Sequence, residues 1–328
     1  MATGIISIAA NSLGMNLTGS FLFLINKIAY AVLIILMVTR FSLSPLELIK
    51  SITGHEQSSS LFTVVVGTCV LGSQFVALQR NMSAGCVLWI VGAVLWAVLL
   101  YCFFTATMTK ESKRPIEDAL DGGWLIFVVG TQAVSILGAM VAPFFPEYAG
   151  IFLFAMLSMF MVGAMLYIVL IVLIIYRLFF FALSPEKFTP LYWITMGAAA
   201  ITTLAGTTLI MESEGWVFLV DALPFLRGLS YFFWAIATWW IPLLLAMDVW
   251  RHIYKHIPYA YDVQNWSMVF PLGMYTLCTH QLTIIAGLDF LSPIPHFLIY
   301  IALLAWIITF LGLIKRLITV LFMRSGKE

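Results

Sequence analysis

The chain has 328 residues, of which 62% are hydrophobic and only 9% charged, and its mean hydropathy is +1.05. A soluble domain keeps about a quarter of its residues charged to face water, so this composition excludes a soluble fold and puts most of the surface in lipid. A formal net charge of +1 offers no excess of either sign to nucleic acid or an acidic partner, and no nucleic-acid motif is present.

A spanning helix needs about 20 apolar residues to cross roughly 30 Å of hydrocarbon. Laid along the chain, that template predicts an all-α integral membrane protein, a single transmembrane domain over 1–328. Its ten segments lie at about 1–16, 19–39, 61–79, 84–108, 123–142, 149–182, 190–211, 223–250, 265–287 and 295–323. Pro, Gly and charged residues mark the loops between them. The first segment, MATGIISIAANSLG, is short for a full crossing at about 1.5 Å per residue, which leaves room for native residues ahead of Met1. It lacks the basic stretch and cleavage site of a signal peptide and reads as a retained helix. The second carries Lys27 inside an apolar run, where an ammonium needs a partner or must snorkel to the interface, with attraction of anions as the alternative.

Further along, the odd-numbered segments share a character. GTCVLGSQ (67–74), GTQAVSILG (130–138), GAAAITTLAG (197–206) and GMYTLCTHQ (273–281) mix glycine with small and polar residues, as the opening does. The even-numbered ones are bulky, as in FLFLINKIAYAVLIILM and LYIVLIVLIIYRLFFFAL. One glycine from each odd segment, Gly4, Gly67, Gly130, Gly197 and Gly273, recurs at separations of 63, 63, 67 and 76, which reads as a fivefold repeat of helical hairpins. Within the odd segments Gly4, Ser7, Asn11 and Gly14 share a helical face, as do Thr131, Ser135 and Gly138, and Ala199, Thr203 and Gly206. Such thin faces serve either close helix packing or a narrow central path.

Lys and Arg fall unequally. Arg40, Lys50, Lys110, Lys113, Arg114, Arg177, Lys187, Arg251, Lys255, Lys315, Arg316, Arg324 and Lys327 follow even segments, whereas Arg80 and Arg227 follow odd ones. The positive-inside bias therefore predicts a multi-pass cell (plasma or inner) membrane protein with both termini cytoplasmic. The cysteines, Cys69, Cys86, Cys102 and Cys278, lie singly in apolar runs without metal-ligand spacing, so no metal and no cofactor are expected.

MATGIISIAANSLG, YWITMGAAAITTLAG, FFWAIATWWIPLLL and WSMVFPLG resemble signatures of the tellurite-resistance/dicarboxylate transporter family, which includes TehA, malate permeases, sulfite efflux pumps and the slow anion channels of guard cells. The resemblance spans essentially the whole chain. It implies ten helices as five hairpins around a central quasi-fivefold pore, a homotrimer with one pore per subunit, and passage of small inorganic or C4-dicarboxylate anions. It also implies that Phe270, within WSMVFPLG, plugs the pore. Pro271 supports a local break there, because it cannot donate its backbone hydrogen bond.

On that reading the path is lined by Gly4, Ser7, Asn11, Gly67, Gln74, Thr131, Ser135, Ala199, Thr203, Gly206, Gly273 and His280, with Phe270 as the gate. Anion preference would come from backbone N–H groups, hydroxyls and the Asn11 or Gln132 amides. His280 shares a face with Phe270 and Gly273, with an interhelical hydrogen bond as its structural alternative. Arg227 reads as a rim residue, and Asp248 with Arg251 as an exposed ion pair. The alternative class is an integral membrane enzyme or redox protein with a bound cofactor. That class calls for clustered His, Cys or carboxylates at one depth, whereas only His280 lies deep, with His296 near a helix start.

Overall fold

A computed structural model describes residues 1–44 and 55–325. Its long helices are α1 (Ala2–Ser12), α2 (Asn16–Leu43), α3 (His55–Gln79), α4 (Met82–Thr109), α5 (Ile126–Val141), α6 (Ala149–Phe180), α7 (Ile194–Met211), α8 (Val217–Val249), α9 (Trp266–Ala286) and α10 (Pro293–Ser325). No strand occurs among the described residues. Nine of these segments are long and apolar enough to cross a membrane, and α1, at 11 residues, is the short one.

Local chemistry sets the helix ends. α1 stops before the end of the apolar segment because Gly14 adopts a left-handed conformation (φ 83°) that an L side chain resists, and the chain turns directly into α2. α8 begins at Val217, ahead of the predicted 223, and takes Pro224 and Pro242 into its interior. Prolines are tolerated inside lipid-embedded helices because neighbouring helices and side chains satisfy the freed carbonyls.

α5, α7 and α9 share one starting device. Asp121 accepts a hydrogen bond from the Gly123 amide (2.8 Å), Thr189 from Leu191 (3.4 Å) and Asp262 from Gln264 (2.8 Å). Each cap opens a 3-10 turn, and a tryptophan, Trp124, Trp193 or Trp266, stands where that turn passes into helix. The indoles then fasten the loops: Trp124 donates to the Ala119 carbonyl and Trp193 to the Asp248 carboxylate (3.0 Å). Asp248 therefore bonds an indole, and among the described residues no salt bridge joins it to Arg251, whose charge acts on it only from a distance.

The packing is cyclic. Each odd helix packs on the even helix that follows it, α1 on α2 through α9 on α10. The odd helices also contact one another in the order α1, α3, α5, α7, α9 and back to α1. Every even helix touches the next odd one as well, and α10 on α1 closes the series.

Aromatic polar tips staple those second contacts. Tyr30 of α2 bonds Thr68 of α3 (2.8 Å), Trp96 of α4 donates to Thr131 of α5 (2.8 Å), and Tyr167 of α6 donates to the Thr195 carbonyl of α7 (3.1 Å). Trp234 of α8 donates to Thr279 of α9 (3.0 Å), and Trp306 of α10 to Thr3 of α1 (2.9 Å). An indole or phenol buries a large apolar body while its tip needs a partner, and away from water that partner must be protein.

Glycines let the backbones close. A Cβ on Gly4 would meet Val70 and Gln74 of α3, one on Gly197 would meet Pro271, and one on Gly273 would meet Ile5 and Ile6. The outward faces of the even helices carry the large exposed apolar side chains, such as Phe21, Leu33, Val94, Phe154, Val172 and Leu304. In water these would be a liability, but in lipid they are the solvated face.

Candidate anion pathway

A cavity of about 220 Å³ is lined by all five odd helices, with Ile5 and Ser12 from α1, Val70 and Ser73 from α3, Ala133 and Ile136 from α5, Leu204 and Thr208 from α7, and Leu277 and Gln281 from α9. Its lining runs from near the middle of these helices, as at Ile201 and Met274, toward their C-terminal ends, and includes Glu212, just past α7. A second cavity, a vestibule of about 960 Å³, opens at their N-terminal ends and takes in Thr3, Gly67, Gly123, Ile194 and Ser267. The two share no lining residue.

Phe270 lines neither cavity, and its position along α9 falls between residues that do. Ser267 lines the vestibule and Met274 the axial cavity, and Phe270, three residues after one and four before the other, shares their helical face. Its ring is 1% exposed. On α7, Ile194 and Ile201 stand in the same relation to the two cavities, and Gly197, between them, lets Pro271 approach. A buried apolar ring on α9 and the thin backbone of α7 at Gly197 thus fall, along their helices, between residues of the one cavity and residues of the other.

The small and polar residues read from the sequence mostly face neighbouring helices. Gly67 borders the vestibule, and a Cβ there would meet open space. Ser7 donates to the Gly19 carbonyl (2.7 Å), Ser135 to the Met156 carbonyl (2.8 Å), and Thr203 to its own helix at Ala199 (3.1 Å). Thr131 accepts from Trp96, and Gln74 from the Asn26 amide (2.6 Å). Asn11 packs beside Gly19, Gly206 beside Ser230 and Phe160, and Gly4 and Gly273 sit in interhelical contacts. Ala199 is fully buried, His280 is half-buried, and neither lines either cavity.

The lining residues stand one position away from those read: Ile5, Ile8 and Ser12 beside Gly4, Ser7 and Asn11; Leu204 beside Thr203; Met274 beside Gly273; Gln281 beside His280. One residue turns a helix by about 100°, enough to move a side chain from the axis to a neighbour.

Two groups named in the sequence take on contacts that the sequence did not show, Arg177 as a buried staple in place of a loop charge and Gln132 as an interhelical donor in place of an anion-facing amide. Arg177 is 3% exposed and lines the vestibule, where its guanidinium donates to the Glu117 carbonyl (3.2 and 3.4 Å) and the Tyr192 hydroxyl (2.8 Å). It staples α6 to the loop ahead of α5 and to the start of α7. Gln132 donates to the Phe160 carbonyl (3.1 Å) and Thr202 (3.3 Å), while its buried carbonyl oxygen has no partner. Long separation in sequence hid both arrangements.

Fixed charge in the vestibule is mixed, with Arg114, Arg177 and Lys187 against Glu117, Asp118, Asp121 and Glu186. Lys187 sits 2.6 Å from Asp118, and its hydrogen bond and charge hold that carboxyl below its ordinary value. Lys27 lies over the Phe23 ring, 4.5 Å from its centroid, in a cation–π contact away from the axis. All four cysteines are free, and among the described residues no three His, Cys, Asp or Glu gather as metal ligands.

These features define a multi-span helical membrane protein with two cavities in line along its inner helices. The chain belongs to the voltage-dependent anion channel family, whose model matches residues 1–314. It is 26% identical over 299 residues to an uncharacterized transporter of Methanocaldococcus jannaschii, covering 90% of this chain and 84% of the relative. It is 36% identical over 163 residues to an uncharacterized membrane protein of Mycobacterium tuberculosis, covering 50% and 82% respectively. With a sulfite efflux pump of Arthroderma benhamiae the identity is 22% over 320 residues, covering 89% and 81%.

Proposed function

We propose that the chain is one transmembrane domain in which five hairpins surround a quasi-fivefold pore, and that small anions cross it through the vestibule and the axial cavity past a gate at Phe270. The observation that supports this reading is the register of α9, in which buried Phe270 lies along the helix between Ser267, which lines the vestibule, and Met274, which lines the axial cavity, the two cavities sharing no lining residue. With side-chain charge in the vestibule mixed, preference for anions rests on the partial positive charge of the odd-helix N-termini and on hydroxyl and amide donors. The protein moves ions and converts no substrate. Sulfite, chloride, nitrate or a C4-dicarboxylate fits such a weakly polar path, in a cell-membrane homotrimer with cytoplasmic termini.

The test is anion current from reconstituted protein. Phe270→Ala should remain folded and raise conductance on the order of tenfold or more, with Phe270→Leu between it and the parent. A packed or lipid-facing phenylalanine, once truncated, can lower stability but opens no path. A folded Phe270→Ala with parental currents would show that the gate lies elsewhere. For orientation, cysteines placed beside Lys113 and Lys187 should be labelled only from the cytoplasm and one beside Glu147 only from outside.

A further inference from the structure

The axial cavity holds one anomaly for an anion path. Among the residues that line it, Glu212 is the one with a formal charge. Its carboxylate makes no hydrogen bond or ion pair within the described residues, although the side chain is half-buried. It caps α7, so it also sits at the partially negative end of a helix dipole, which disfavours a carboxylate. The other odd helices end on the same side of the bundle, so this mouth is the electrostatically unfavourable one for anions, as the vestibule is the favourable one. We propose that Glu212 is a proton-operated valve at the axial mouth: the carboxylate repels anions from the path, and its neutral form admits them. This rests on the anion-path reading above.

Burial alone raises the Glu212 carboxyl above its ordinary range. The titratable and charged groups at this end of the bundle are Arg80 past α3, Glu147 and Tyr148 ahead of α6, Glu214, Asp221 and Arg227 around the start of α8, His280 on α9, and Asp289 and His296 past it. None of them lines the cavity, and none displaces the Glu212 carboxyl. The sign follows directly. Because the neutral form persists to higher pH than in a free glutamate, acidifying this side adds a proton to the carboxylate, removes a full negative charge from the mouth, and raises anion flux. A negative charge at a narrow opening lowers the local concentration of anions by the same focusing that would concentrate cations.

The experiment uses the full chain in planar bilayers with nitrate as the probe, since nitrate stays ionised throughout the range. The wild type and Phe270→Ala are measured while one side at a time is taken from about pH 8 to about pH 5. Acid on the side of the α7 C-terminus should raise the current on the order of tenfold, and acid on the other side should not. Glu212→Gln should carry the acid-level current at every pH. Should Glu212→Gln not fold, Glu212→Asp must move the midpoint of the response, and an unmoved midpoint overturns the valve. Nitrate current that ignores pH, or a pH response that survives Glu212→Gln, overturns the valve and leaves the anion path standing. No anion current from either the wild type or Phe270→Ala, at any pH, overturns both.

Discussion

All the even helices and four of the five odd ones are long and apolar enough to cross a membrane, yet 94% of the most apolar window of α5 and of α7 is buried, against 17% in α2 and α4. What separates them is the make-up of their side chains, small and partly polar in the odd helices and bulky and apolar in the even ones. An inner helix is hemmed in by two other inner helices and two outer ones, so it can afford bulk only where a neighbour offers a glycine or a gap. An outer helix meets lipid, which moulds itself around any apolar shape. Hydrophobicity therefore says that a helix enters the membrane, and side-chain volume says how many protein neighbours it has.

Enlarging a thin residue should break this contrast most strongly. A Cβ on Gly138 would collide with Met156 and Trp89, and one on Gly206 with Ser230 and Phe160. Gly138→Leu and Gly206→Leu should each cost at least about 3 kcal/mol or abolish the folded protein. Gly228, on outer helix α8, has nothing within 4 Å of its would-be Cβ, so Gly228→Leu should fold and carry current as the parent does. Thermal unfolding in detergent compares the three, and equal losses would erase the inner and outer distinction.

A smaller effect is expected where the two rings are stapled. Trp96→Phe keeps most of the ring's bulk but removes the donor to Thr131, and should cost about 1 kcal/mol. Thr131→Val should cost a similar amount, and the double variant less than the sum of the two, because both remove the same bond. Full additivity would mean the contact contributes nothing.

The smallest effect belongs to the exposed loops. Lys187 depresses the Asp118 carboxyl, so any stability from the pair is present above the ordinary carboxylate range and fades as pH falls through the depressed value. Both partners face solvent, and Asp118→Asn should leave the melting temperature unchanged at neutral pH. A clear drop would place this loop within the cooperative core.

Much was legible in the residues themselves. The apolar runs, their proline, glycine and charge breaks, and the alternation of thin with bulky segments are local properties, and a segment's length and hydropathy alone decide whether it can cross lipid. The thin face was also visible, because Gly4, Ser7 and Asn11 recur at helical spacing whatever surrounds them. Which way that face points was not. Only contacts between distant segments turned Ser7 toward Gly19 and Thr131 toward Trp96, and left Ile5, Ile8 and Ser12 on the axis one position away. Periodicity gives the angles between side chains on one helix but carries no origin for them, and that origin comes from the neighbours. For the same reason Phe270 could be singled out by its motif, whereas the cavities lined by its neighbours Ser267 and Met274, the staples that link each even helix to the next odd one, and the carboxylate of Glu212 in the lining of the axial cavity were decided by the tertiary structure.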